Sequence, residues 1–224
     1  MYRRQLCANS SFIARERVSV ASPSKERRDR LLVAAQSAMA EHGTAVRLNQ
    51  VADKAGITSG AILYHYPDFQ DLLIDAIRAV SERFYEDRLR AIEGIEDPAE
   101  RLIRTIRSGV PLDDTDDGVK LLCALGGAAP RHTVYAILLT ALYDRQVTLY
   151  QSILETGSAL SVFSLKSSSL DLSRNLVALE DAYGYRIMAG HPKMTYEVSV
   201  ELVLDYARLG TGHKLRYGDK RESA

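Results

Sequence analysis

The chain has no tryptophan, two cysteines, six prolines and no surplus charge, with 29 Lys and Arg against 29 Asp and Glu in 224 residues. Each shortage excludes something. Two cysteines, Cys7 and Cys123, are too few for a disulfide framework and fit a reducing compartment. Balanced charge argues against a generic polycation. The longest apolar stretches, around Tyr135–Tyr143, fall far short of the roughly 20 residues of a membrane span. Arg3 and Arg4 are not followed by an apolar stretch of signal-peptide length. The expectation is a soluble, cytoplasmic protein with no membrane partner. Composition is otherwise ordinary, 46% apolar with 14 Gly, which excludes collagen-like and wholly disordered chains.

The balance of charge hides an asymmetry. Residues 1–66 carry ten Lys and Arg against five Asp and Glu, while the remainder carries nineteen against twenty-four. A basic front and an acidic back place any polyanion at the front, although a surplus of this size also suits a plain solvated surface.

Helical periodicity dominates from residue 25 onward. Residues 1–24 show no sustained period and are expected to form a flexible arm. Leu31, Leu32, Ala34, Ala35, Ala38 and Met39 recur at threes and fours, which predicts a helix over about 26–42 ended by Gly43. A short helix over 48–55 follows, broken by Gly56. Thr58 caps a third helix to about 64, and Pro67 closes it. Asp68 caps a fourth to about 90. Further helices are expected over 98–108, 119–129, 130–154, 170–188 (ended by Gly190) and 195–209 (ended by Gly210). A polar, acidic loop is expected at 112–118 and a flexible loop at 164–169, with a polar, fraying tail from 211. No alternating strand pattern and no repeat appears. The fold class read from this is all-α.

The informative unit is Leu48–Tyr66. Ala52 is small where two helices must cross, Gly56 supplies a left-handed turn, and Ile57 and Ile62 plug the angle between the helices. Such a helix-turn-helix sets its second helix in the major groove of double-stranded DNA. With Ile62 inward, Thr58 and His65 fall near its side, Ala61 lies on the flank, and Ser59, Gly60, Leu63 and Tyr64 point outward. The outward face has no acid, and the helix N-terminus faces a phosphate favourably.

The run from Leu48 to Leu73, LNQVADKAGITSGAILYHYPDFQDLL, resembles the DNA-binding domain of TetR-family transcriptional repressors. The residues that carry the likeness are Ala52, Gly56-Ile57-Thr58, Tyr64-His65-Tyr66 and Asp68, together with the first helix and its Gly43 end. The match covers about residues 26–75. The resemblance implies an N-terminal three-helix DNA-binding domain over 25–75 and a larger helical effector-binding and dimerisation domain over 76–213, before a polar tail at 214–224. It implies a ligand-responsive repressor that reads a palindromic operator as a homodimer joined through its last two long helices. The apolar sets for that junction are Leu176, Leu179, Tyr183 and Ile187, then Val198, Leu202 and Tyr206. Activation of transcription is an alternative within the same family.

The chain departs from the family pattern in places. Leu63 stands where the family commonly has a phosphate-contacting Tyr, Phe69 where it often has Lys, and Asn49 where many relatives carry Arg. Lys25, Arg27, Arg28 and Arg30 are expected to supply part of the missing backbone affinity. The DNA-contact candidates are therefore Lys25, Arg27, Arg28, Arg47, Asn49, Thr58, Ser59, Gly60, Ala61, Leu63, Tyr64 and His65. For an effector pocket in the back half the candidates are Phe84, Cys123, Tyr135, Leu139, Tyr143, Tyr150 and Tyr185. Apolar bodies with a few hydroxyls suit a hydrophobic or aromatic small molecule, and equally suit plain core.

Other motifs fail on context. Gly56-Ile57-Thr58-Ser59-Gly60 has the outline of a hydrolase nucleophile elbow, but a helix rather than a strand precedes it. Read as a calcium loop with Gly118 sixth, residues 113–124 put Ala124 where a bidentate Glu is required. Gly126-Gly127 lacks the strand and spacing of a dinucleotide fingerprint. The five histidines do not cluster at ligand spacing, so no metal, no cofactor and no catalytic residue is expected. His42 is expected at the end of the first helix, and Cys123 as a small buried residue. An enzyme reading lacks a nucleophile–base pair, whereas an interaction module that has lost DNA affinity stays open through Leu63 and Phe69.

Overall fold

The structure is a computed structural model that describes residues 23–216. The arm expected over 1–24 lies outside the described residues up to position 22, and so does the tail beyond 216. Among the described residues the elements are α1 (Pro23–His42), α2 (Leu48–Ala55), α3 (Ser59–His65), α4 (Phe69–Ala91), α5 (Pro98–Gly109), α6 (Asp117–Ala128), α7 (Thr133–Ala159), α8 (Ser169–Met188) and α9 (Tyr196–Thr211), with 3-10 turns at Gly43–Ala45 and Ala129–Arg131. None of these helices is long and apolar enough to cross a membrane.

Most helix starts are written in short polar side chains. Thr58 accepts from the Ala61 N–H, Asp68 from Gln70 and Asp97 from Ala99 ahead of Pro98. Asp116 caps α6 through the N–H groups of Gly118 and Val119, and its carboxylate lies 3.4 Å from Arg83. The acidic loop before α6 thus ends in a helix cap. Gly56 sits at φ 65° and ψ 32°, the left-handed turn between α2 and α3.

Four expectations need correction. Pro130 does not start the long helix. It sits in the 3-10 turn, and α7 begins at Thr133 and runs to Ala159. The ring of His132, just before it, lies 5.0 Å from that of Tyr135. Gly210 does not end α9. It is buried in the last turn, where a Cβ would come within 2.5 Å of Leu172, and Gly212 at φ +66° is the stop. The 164–169 loop is tied to that same turn, with the Ser164 and Lys166 N–H groups donating to Thr211 and Gly210 carbonyls at 2.8 Å. The fraying expected from 211 does not occur up to Leu215, which is fully buried while Arg208 donates to the carbonyls of Lys214 and Leu215.

Two apolar cores run through the chain. The first joins α1, α2, α3 and the front of α4 around Met39, Val51, Ile62, Leu73 and Ile77, and it takes in Leu121, Leu125 and Ala128 from α6. The second joins α5, α7, α8 and α9 around Leu102, Ile106, Tyr150, Ile153, Leu176 and Val203. Helix α4 is long enough to serve both. Helix α6, distant in sequence, packs on the helix-turn-helix unit because its period leaves Leu121, Leu125 and Ala128 on one face.

Candidate nucleic-acid interface and interior cavity

Helix α3 is seven residues long, and Ile62 is its one buried side chain. Tyr64 is 84% exposed and Leu63 40%. Thr58, Gly60 and His65 are also exposed, while Ser59 and Ala61 are half-buried. Three inward expectations fail, that for Thr58 because it stands just outside the helix as its N-cap. Ile57, expected to plug the interhelix angle, is 39% exposed, because the turn closes instead through its N–H, which donates to the Ala52 carbonyl at 3.1 Å. His65 points outward and meets the Tyr64 ring edge-on at 5.3 Å. The helix stops there, and Tyr66, one full turn beyond Ile62, takes the inward place.

Lys25, Arg27, Arg47 and Asn49 are exposed on the same unit. The Gln50 side chain accepts from the Arg47 backbone N–H at 2.7 Å, which fixes the start of α2. Arg28 is exposed on this unit too, and it is also bonded within it. Its Nε donates to the Tyr66 hydroxyl at 2.8 Å and its Nη2 to Asp75 at 2.6 Å, while Tyr66 donates to the same carboxylate at 3.2 Å. This chain of bonds ties α1, the end of α3 and α4 together. Asp75 was not picked out from sequence, and Tyr66 only as part of the family motif, since only folding brings position 28 beside 66 and 75. The Gln36 side chain adds a second α1–α4 tie by donating to the Ala76 carbonyl at 2.9 Å.

Between α4, α6, α7 and α8 lies a cavity of about 350 Å³. Phe84, Cys123, Leu139, Tyr143 and Tyr185 from the candidate set all line it. The other two do not. Tyr135 belongs to the first core, and Tyr150 is fully buried behind Glu180. Apolar walls come also from Val119, Leu122 and Leu142. The Tyr185 hydroxyl donates to the Cys123 carbonyl at 2.9 Å across the cavity wall, and it sits where a Cβ on Gly126 would be. Burial pushes the Cys123 thiol up to about 11, with the charge of Asp181 adding to it, so the thiol is protonated at neutral pH.

Four polar cavity residues went unnoticed in the sequence: Thr140, whose hydroxyl donates to the Ala136 carbonyl, Gln146, Glu180 and Asp181. The adjacent acids inside an apolar helical stripe were the available signal. Glu180 is fully spent: Arg88 reaches it from α4 at 2.9 and 3.3 Å, and the Tyr150 hydroxyl donates to it as well. Burial pushes the Arg88 guanidinium down, but Glu180 and Tyr150 push it further up, so it stays charged. Burial pushes the Glu180 carboxyl up against the pull of Arg88. Asp181 is different. It forms no ion pair or hydrogen bond with any described residue. Its residue surface is exposed at the cavity's edge, and partial desolvation by the protein around it still holds its carboxyl up at about 6, with Arg88 opposing only in part. Among the described residues no group of three His, Cys, Asp or Glu converges on a metal position.

No protein-family model and no curated protein matches the sequence. Solved structures match in fold. A protein from Saccharomonospora viridis assigned as a transcriptional regulator, in complex with choline, is 23% identical and superposes with a TM-score of 0.75 over 82% of this chain and 96% of its own. One from Rhodococcus sp. assigned to the TetR family is 22% identical, with a TM-score of 0.69 over 84% and 99%. A TetR transcription regulator from Haloarcula marismortui is 18% identical, with a TM-score of 0.75 over 84% and 99%. The class that this fold defines is an all-α chain with an N-terminal helix-turn-helix unit and a larger helical domain behind it. That is the fold of TetR-family transcriptional regulators.

Proposed function

We propose that the protein is a dimeric, ligand-responsive transcriptional repressor of the TetR family that binds a palindromic operator. The observation that carries this reading is the outer face of α3, where Leu63, Tyr64 and His65 stand exposed on a helix held by Ile62 alone. A helix face that buries so little of itself in the protein is free for insertion into a groove. Lys25, Arg27, Arg47 and Asn49 flank it for the phosphates, and the exposed surfaces of Thr58, Ser59, Gly60 and Ala61 let its start approach base edges.

The dimer face of this proposal is the outer side of α8 and α9. Val198, Leu202 and Leu209 stand exposed along α9, with Leu179, Tyr183 and Tyr206 half-buried beside them. Leu176 and Ile187, grouped with this stripe in the sequence, are buried in the monomer core instead. Two-fold symmetry would present two copies of α3 to two half-sites.

The cavity is the effector site in this reading, for a small molecule with a hydrophobic or aromatic body. Helix α6 supports a route from cavity to DNA. One face carries Leu121, Leu125 and Ala128 into the first core, Leu122 touches both that core and the cavity, and Val119, Cys123 and Gly126 stand in the cavity wall. A ligand that favours one position of α6 shifts the first core with it, provided it binds one state better than the other.

The test is a fluorescence-anisotropy titration of the full chain against the DNA upstream of its own gene, at two salt concentrations, beside an unrelated duplex of equal length. Binding about a thousandfold tighter than to the control, with a steep salt slope, is expected. Equal, weak binding to both overturns specific recognition of that DNA. It favours a second reading, an interaction module with weakened DNA affinity, which the exposed apolar Leu63 supports.

A further inference from the structure

The walls of the cavity are apolar and aromatic, but its charge is not balanced. Among the described residues that line it there is no Lys, Arg or His, and there are two carboxylates. Glu180 is neutralised from behind by Arg88. Asp181 is not neutralised by any contact, and its charge is felt by both Cys123 and Tyr185, which places it among the cavity groups. Gln146 is a second polar group of the cavity wall. It is 5% exposed, it lines the cavity, and its amide has no hydrogen-bond partner among the described residues. Its amide is therefore open to an occupant of the cavity as donor and acceptor. Phe84, Tyr143 and Tyr185 present ring surfaces to the same space.

We infer that the occupant of this cavity is an organic cation: a protonated or quaternary nitrogen on an apolar or aromatic body, with Asp181 as its counter-ion, a polar group against Gln146 and the rings as its walls. An anion would bring a second unpaired negative charge beside Asp181. A neutral hydrocarbon would leave Asp181 without a counter-ion and the Gln146 amide without a bond. A cation meets both, and aromatic faces attract it further. The inference rests on the cavity being the effector site, and it adds the chemical class that this site selects.

The experiment uses the full chain without DNA and three probes of one shape: 3-phenylpropylamine, 3-phenylpropanol and 3-phenylpropanoate, with benzyltrimethylammonium as a quaternary arm. Affinities are read by isothermal titration calorimetry. The expected result is that a cation binds at least about tenfold tighter than the alcohol, and the carboxylate weakest. Asp181→Asn is expected to remove the preference for cation over alcohol, while Gln146→Leu weakens amine and alcohol together and leaves their ratio in place. Thermal melts of both variants confirm that they are folded. Equal binding of the three probes, a preference for the carboxylate, binding of none of them, or a preference that survives Asp181→Asn overturns the inference. A parallel DNA-release assay keeps the two readings apart. Cation-selective binding without release of the upstream DNA leaves the ligand class standing and counts against the regulator.

Discussion

At the residue scale, the fully buried Arg88–Glu180 pair is the most consequential contact in the back domain. Glu180→Ala leaves a guanidinium buried without its counter-charge, and a loss of about 3–5 kcal/mol is expected in urea unfolding. Arg88→Met combined with Glu180→Leu removes both charges and is expected to recover most of that loss. Asp181, one position along, behaves in the opposite sense. Its folded carboxyl is raised to about 6, so the stability it contributes is present below the ordinary Asp value and is lost as pH rises through about 6. Asp181→Asn is therefore expected to raise the melting temperature above neutral pH, with the gain shrinking as pH falls toward 4. A gain independent of pH contradicts the assignment.

At the scale of elements, α3 depends on its ends. It has one buried side chain, one side-chain cap at Thr58 and a left-handed glycine before it. Thr58→Ala removes the acceptor for the Ala61 N–H and is expected to cost about 1 kcal/mol. Because α3 contributes so little to the core, hydrogen exchange should speed up in residues 59–65 while the rest of the chain is little changed. Gly56→Ala meets no atom within 4 Å of the new Cβ, so its cost is backbone strain alone, about 1–2 kcal/mol at this φ. Both variants are expected to weaken operator binding, measured by anisotropy, by more than their effect on the global melting temperature suggests.

At the scale of the whole molecule, the exposed apolar line on α9 has no role inside the monomer. Leu209 is 76% exposed, and Leu202 stands on the same face two turns earlier. Leu202→Glu with Leu209→Glu changes no core contact, so the monomer should stay folded. Sedimentation velocity is expected to show a dimer for the parent chain and a monomer for the double variant, which should also lose the affinity that comes from joining two half-sites. A double variant that remains dimeric places the interface elsewhere.

The all-α class, the bounds of α2, the caps at Thr58 and Asp68 and the turn at Gly56 were legible in the sequence. They rest on local causes: a 3.6-residue period, a side-chain oxygen within reach of the next free N–H, and a φ that only glycine takes easily. Even there, local reasoning missed His65, because the side it faces depends on where α3 stops. Five of the seven residues picked for a pocket do line one cavity, since aromatic and apolar side chains on a shared helical face tend to meet. What the sequence could not decide are the meetings between distant positions. Arg28 beside Asp75, Arg88 beside Glu180 and Leu172 against Gly210 are set by how helices pack, not by anything near them in the chain. The same holds for which of two neighbouring acids is neutralised. Glu180 and Asp181 look alike in sequence, and a turn of about 100° along α8 puts one against Arg88 and leaves the other without a partner.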